Sequence, residues 1–282
     1  MKTTADSSIK VMAAQKAMAR NTVKSIICFF VRTKVGKCFR NPVANHSSYF
    51  CSVMRIGLID RAMFAVMASA CIKELRKEHD DWNGRAIRKN ARSRFSKMLK
   101  ETPSIGSYSN NCWKKNLVGG AVWFSLYEAV EELYGKMSDG LYGKMCNATY
   151  AIPFMARKYA STPFFTEKYQ DAYIHKIDNA NRIRSEYNWT THYEKGPTPD
   201  SLRIRFTTCG LCALATRTGH RDILPIMCRT DYTVADALGT CLHRDKTLAA
   251  GDSCCDYLYT RPGSDAEKEW QEEHPKGTFN SK

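Results

Sequence analysis

The chain has 282 residues, of which 43% are apolar and 11% aromatic, enough for a sizeable core, so wholesale disorder is excluded. Its formal charge of +15 is unevenly placed: residues 1–53 hold nine Lys/Arg against Asp6 alone and account for +8 of it. The remaining +7 is scattered, with no helix-turn-helix, zinc-finger or RNA-recognition pattern, which argues against nucleic acid as a partner.

Residues 1–53 are basic and acid-poor, with Ser and Thr early. That is the composition of a mitochondrial targeting extension or an unstructured leader; an amphipathic helix over 9–32 followed by a loop is the alternative. The apolar run Ile26–Val31 is too short to span a bilayer and too late for a signal peptide, so no membrane partner is expected. Without an export signal the expected location is intracellular and cytoplasmic, with reduced thiols, and the sequons at Asn45, Asn147 and Asn188 are chance matches.

From Met54 the pattern becomes helical. Ile59, Met63, Val66, Met67, Ala70, Cys71 and Leu75 predict a helix over 57–79. Ile87, Ala91, Phe95 and Leu99 predict a second over 83–100, stopped by Pro103. The Gly/Ser/Asn-rich segment after Pro103 reads as a loop, and 114–135 as a strongly apolar third helix. Leu133-Tyr-Gly-Lys-Met137 recurs at 141–145, a single short echo rather than a repeat architecture. Helical spacing continues over 141–186 with breaks near Pro153 and Pro163. Strands over 188–195 and 201–208 flank the turn signal Gly196-Pro-Thr-Pro199. Short helices over 210–219 and 230–241, a strand over 255–260 and a charged, frayed tail from Ser264 complete the chain. The fold class is α+β: an N-terminal helical half packed on a small antiparallel sheet, with C-terminal cysteine-bearing helices.

Six of the twelve cysteines lie between Cys209 and Tyr259, interleaved with Asp231, His243, Arg244, Asp256 and the pair Gly251-Asp252. Thiols supply nucleophiles or soft metal ligands, carboxylates supply bases, and Arg grips a carboxylate bidentately. Cys209-Gly-Leu-Cys212 has C-x-x-C spacing, and Cys228, Cys241, Cys254 and Cys255 follow, so zinc or an iron–sulfur cluster is a rival reading, although a second C-x-x-C is missing. Each residue also has a structural alternative. A buried thiol is a small hydrophobe, Asp231 can cap a helix beginning near Thr233, and Arg244 can form an ion pair. Thr247 and Gly251 suit a turn, and His192, His220 and His243 carry no motif.

Two blocks of short motifs stand out. The first is Pro103-Ser-Ile-Gly106 with Asn110, followed by the apolar helix. The second is Cys209, then Cys228-Arg-Thr-Asp231-Tyr, Arg244-Asp-Lys-Thr247-Leu-Ala-Ala-Gly251 and Cys255-Asp256-Tyr257. On these motifs the stretch from Met54 to about Gly263 resembles the L-2-amino-thiazoline-4-carboxylic acid hydrolase family. Ser107 stands where a second Gly is usual, Thr208 where Arg is frequent, and Cys254 is an additional thiol. The resemblance implies a hydrolase-like α+β domain over 54–263, preceded by the 1–53 extension and followed by a tail over 264–282.

It also implies a reaction: water adds to the isothiourea-like C2 of a small heterocyclic carboxylate and expels the ring sulfur, giving an N-carbamoyl amino acid. Such chemistry needs a nucleophile, a carboxylate for the amidinium nitrogens and a cation for the substrate carboxylate. Cys209, Cys228, Asp231 and Cys255 become the candidate catalytic residues, and Arg244, Thr247, Asp256 and Asn110 the candidate substrate contacts. Cys209, leaving a strand and entering a helix, is the best-placed nucleophile, with Arg244 as the cation that would ionise it. No cofactor is required; catalytic zinc on Cys209, Cys228 and Cys255 with an open position is the alternative. The runner-up function is a non-catalytic small-molecule-sensing or metal-binding module, a class usually fused to an output domain.

Overall fold

The computed structural model describes residues 53–274, so the expectations for the basic extension fall outside the described residues. Three long helices come first: α1 (Leu58–Glu78), α2 (Gly84–Lys100) and α3 (Lys114–Tyr134). The first two start where local side chains satisfy free backbone donors. The Asp60 carboxylate accepts from Gly57 N at 2.7 Å, and the Asn83 side chain accepts from the N–H groups of Arg85 and Ala86. Helix α3 is buried on every side from Leu117 to Tyr127, as a helix apolar all round must be, and it forms the axis of the core. Helices α4 (Asp139–Asn147), α5 (Pro153–Ala160) and α6 (Glu167–Asn181) follow, divided at the two prolines. Helix α5 contributes no buried residue and lies against the surface.

The chain then forms β1 (Thr190–Lys195), β2 (Ser201–Thr208), α7 (Gly210–Thr218), α8 (Leu224–Cys228), α9 (Thr230–Leu238), β3 (Cys241–His243), β4 (Cys255–Thr260) and α10 (Asp265–Glu273). The four strands make one antiparallel sheet in the order β1-β2-β4-β3. The expected α+β class holds, and β2 and β4 occupy the expected residues. The short helix α8 and the edge strand β3 are additions, too short for a periodicity to announce them.

The two-residue side-chain period gives the sheet two unlike faces. Leu202, Ile204 and Phe206 of β2 lie opposite Tyr259, Tyr257 and Cys255 of β4, and this face packs on the helices. Arg203 and Arg205 lie beside Asp256 on the other.

The tail is not frayed through residue 274. Ser264 caps α10 by accepting from Glu267 N at 3.2 Å. Buried Glu267 bonds His243 Nε2 at 2.8 Å, and Trp270 stacks on the His243 ring at 3.6 Å. The charge of the segment hides this anchor, because only one face of a nine-residue helix needs a partner.

Candidate active site

The second block of motifs folds into a single cluster. Helix α7 begins where β2 ends, with Cys209 as its N-cap and Cys212 three residues in; Cys212 N–H donates to Cys209 O at 3.0 Å. Only glycine fits between them: a Cβ at Gly210 would lie 2.0 Å from the Tyr187 carbonyl oxygen. That close approach seats the C-x-x-C turn against the preceding loop. Cys228 closes α8, and Asp231 lies in the first turn of α9, not at its cap.

Arg244 joins these pieces. Its Nη1 donates to Cys228 O at 2.9 Å, to Asp231 Oδ2 at 2.8 Å and to Tyr257 Oη at 3.2 Å. The guanidinium lies 4.8 Å from the Tyr232 ring centroid and 5.3 Å from that of Tyr257. Its side chain is only 5% exposed. Burial opposes the charge, but Tyr257, Asp231 and Tyr232 outweigh it and hold the guanidinium protonated. The spacing of Cys228-x-x-Asp231-Tyr232 is thereby explained, since one guanidinium takes a backbone carbonyl, a carboxylate and an aromatic face from that segment. Arg244 Nη1 is thus taken up by groups within the protein.

Tyr257, the last residue of the last motif, donates its hydroxyl to Asp231 Oδ2 at 2.7 Å. Both bonds to Asp231 fall on Oδ2, while Oδ1 has no partner among the described residues. The Asp231 side chain keeps 35% of its surface exposed. Burial pushes its carboxyl above the usual range, against Arg244 and Tyr257.

Two thiols, Cys228 and Cys255, lie within electrostatic reach of this carboxylate, and Cys209 and Cys212 lie beyond them. Cys228 and Cys255 both feel the charges of Asp231, Arg244 and Cys212. Burial pushes the Cys228 thiol well up and that of Cys255 to about 11; Cys255 Sγ accepts Leu248 N–H at 3.2 Å. Cys209 and Cys212 influence one another unequally: Cys209 is pushed far up, by its pairing with Cys212 and by desolvation. Cys212 is brought down to about 7 by the Cys209 hydrogen bond, with Arg221 adding a hydrogen bond and its charge. Arg221 also donates to Leu248 O at 3.1 Å, so one side chain ties the α7 turn to the loop before β4. The directions of these shifts favour Cys212, where the expectation was Cys209, as the thiol that ionises more readily. Its C-x-x-C spacing is visible in the sequence, whereas Arg221 belongs to no motif and is brought in only by the fold.

Three of the expected residues sit elsewhere. Asp256 points to the opposite face of the sheet, because its neighbours Cys255 and Tyr257 point inward, and it bonds Arg203 at 3.1 and 3.2 Å. Thr247 shapes a turn: its Oγ1 accepts from Ala250 N and its N–H donates to Asp252 Oδ2, while Gly251 takes φ of 99°. Asn110 builds the loop after Pro103, accepting from Ser107 N at 2.7 Å. A Cβ at Gly106, where φ is 92°, would lie 2.7 Å from Asn110 Oδ1, so the glycine and asparagine of that motif form one structural unit. Buried Asn188, at one of the sequons, donates to Ala180 O and Ile183 O.

A metal reading fits poorly. Cys209 is bonded to Cys212 and Cys255 to Leu248 N–H, and among the described residues no three His, Cys, Asp or Glu side chains are placed to hold an ion. The trio Cys209, Cys228 and Cys255 is not assembled as a ligand set.

Beside the cluster runs a closed circuit of aromatic rings. Trp113, Tyr173, Tyr169, Phe164, Tyr259, Tyr257 and Phe206 follow one another at centroid separations of 5.2 to 6.5 Å and return to Trp113. Tyr257 belongs to both the circuit and the Asp231 centre.

These features define an α+β domain whose centre carries an activated thiol and a half-engaged carboxylate against an aromatic wall. The chain belongs to the L-2-amino-thiazoline-4-carboxylic acid hydrolase family, whose sequence model matches residues 115–259. Cys209, Cys228, Asp231, Arg244, Thr247 and Cys255 fall within the matched span, while Asn110 and its loop precede it. Searches of curated proteins and of solved structures find no match. No described helix is long and apolar enough to cross a membrane.

Proposed function

We propose that the protein hydrolyses a small heterocyclic carboxylate of the 2-amino-thiazoline-4-carboxylate type to an N-carbamoyl amino acid, with Cys212 as nucleophile. The observation that carries this reading is the division of labour at Asp231, whose Oδ2 is pinned by Arg244 and Tyr257 while Oδ1 has no partner among the described residues and 35% of the side chain stays exposed. Oδ1 pairs with an amidinium N–H of the substrate and orients C2. The Cys212 thiolate adds to C2, the bond from C2 to the ring sulfur breaks, and that sulfur leaves as a thiol after taking a proton. The carbon is then held on Cys212 as an isothiouronium. Water, giving a proton to Asp231, adds to the same carbon and expels the Cys212 thiolate, leaving the urea carbonyl. The net change is addition of one water.

Cys209 holds the thiolate by a hydrogen bond, and Arg244 is a positioning residue that acts through Asp231. With Arg244 Nη1 taken up within the protein, we assign the substrate carboxylate to Arg221, the cation nearest Cys212. No step requires a metal.

The test is release of free thiol from 2-amino-thiazoline-4-carboxylate, with product mass as a second readout. Wild type and Cys209→Ser turn over, the latter more slowly because a hydroxyl still donates to the thiolate. Cys212→Ser and Asp231→Asn are folded and inactive. Full activity in Cys212→Ser, or activity lost to a chelator and restored by zinc, overturns the assignment.

A further inference from the structure

The C-x-x-C turn has a capacity that the hydrolysis does not use. Cys209 and Cys212 are both free and partly exposed, and they sit one hydrogen-bonded turn apart at the start of a nine-residue helix. Residues i and i+3 of such a turn lie about 5–6 Å apart, within the separation a disulfide spans without backbone movement. The backbone turn already ties the two residues, Cys212 N–H donating to Cys209 O at 3.0 Å, and each thiol shifts the ionisation of the other. Arg221 stands beside Cys212 and Gly210 fixes the turn against Tyr187.

We propose that Cys209 and Cys212 form a reversible oxidative modification site, in which a hydroperoxide converts the pair to an intrahelical disulfide. The Cys212 thiolate attacks the terminal oxygen of the hydroperoxide; the O–O bond breaks, Cys212 becomes a sulfenic acid, and the alkoxide or hydroxide leaves with a proton. Cys209 then attacks the Cys212 sulfur, giving up its proton, and the hydroxyl of the sulfenic acid departs as water. Two thiols are oxidised by two electrons, and the hydroperoxide is the electron acceptor. Cys212 is the attacking thiol because it carries the thiolate and Cys209 the proton; the neighbouring cation favours the same direction. An external dithiol restores the two thiols by thiol–disulfide exchange and is itself oxidised to a disulfide.

The chain holds its own control in Cys71 and Cys146. These two are buried in the helical core with no exposure and influence one another, yet Cys71 Sγ donates to Met145 O at 3.3 Å and no cation is near. Burial is the main cause that pushes both thiols up, with Glu74 adding to it at Cys71 and Cys71 at Cys146. Oxidation should leave them untouched.

Both cysteines of the pair lie in one tryptic peptide, residues 206–217, so the modification reads as a loss of two mass units without cross-linked fragments. Full-length protein is treated with a few equivalents of hydrogen peroxide, quenched with iodoacetamide and digested. The expected result is an unalkylated 206–217 peptide lighter by two hydrogens, restored by dithiothreitol, and formed at least tenfold faster than any change at Cys71 or Cys146. In Cys209→Ser, dimedone traps a sulfenic acid on Cys212; in Cys212→Ser, Cys209 stays alkylatable. Wild-type protein that keeps both thiols, carries Cys212 as sulfinic acid, or bridges Cys212 to Cys228 or Cys255 overturns the proposal. Because the readout is peptide mass, a bridge that forms in a protein without hydrolase activity would refute the hydrolase reading alone.

Discussion

Two pairs of thiols in this molecule differ in almost everything except their chemistry. Cys71 and Cys146 bring α1 and α4 together in the helical core, fully buried, and serve as small apolar side chains with high pKa. Cys209 and Cys212 lie where a strand runs into a helix, partly exposed, with Arg221 alongside. The first pair shows mainly what desolvation does to a thiol. The second shows how a donor and a cation reverse it for one member and worsen it for the other.

The largest expected effect separates the pairs directly. Cys212→Ser should lower kcat/KM on the order of a thousand-fold or more with unchanged thermal midpoint. Cys146→Ser should leave kcat/KM within about twofold and cost at most about 1 kcal/mol, because the new hydroxyl is buried but meets the otherwise unpartnered Tyr142 hydroxyl. Denaturant melts alongside thiol release check both. Loss of activity without loss of stability in Cys146→Ser would place the reactive pair in the wrong half.

Next in size is Arg244. Arg244→Met strips Asp231 of its ion pair and the Cys228 carbonyl of its donor, and breaking such a pair costs about 3 kcal/mol, reduced here because Asp231 remains a third exposed. The Asp231 carboxyl would rise further, so the surviving activity should need a higher pH. The sheet offers a contrasting acid. Asp256→Asn, on the outer face with Arg203 and Arg205, should change kcat/KM less than twofold and stability by about 0–1 kcal/mol.

That contrast between neighbouring acids shows how far the sequence could be read. Helical periodicity located α1, α2 and α3 within a residue or two, since their apolar stripes are long; β2 and β4 were bounded by turn residues and a change in texture. The motif spacing pointed to Cys228, Asp231, Arg244 and Cys255; the first two meet through the Arg244 guanidinium, and Cys255 lies within reach of its charge. Asp256 could be excluded only with the strand's facing known, because one step along a strand reverses the face. Arg221 lies in a loop with no pattern and reaches Cys212 through tertiary packing. The choice of Cys212 over Cys209 depends on which sulfur faces that arginine, which spacing alone does not encode.

The smallest effect is also the most direct measure of the comparison. Cys212 is an acid whose folded pKa, about 7, lies below the ordinary thiol range. Alkylation of Cys212 by iodoacetamide should therefore rise about tenfold per pH unit up to 7 and level off above it, while Cys71 and Cys146 react only after unfolding. A depressed acid contributes stability that is fully present above the unfolded thiol pKa and is lost as pH falls through the folded value. Stability from this group should accordingly grow between about pH 7 and pH 8.5, until ionisation of Cys209, raised by the same hydrogen bond, begins to act the other way at still higher pH. Arg221→Gln removes the cation but leaves the Cys209 donor, the larger of the two causes. The labelling midpoint should therefore move upward by less than in Cys209→Ala, which removes the donor. Equal midpoints in all three proteins would mean that neither neighbour sets the thiolate, and the difference between the two pairs would reduce to exposure.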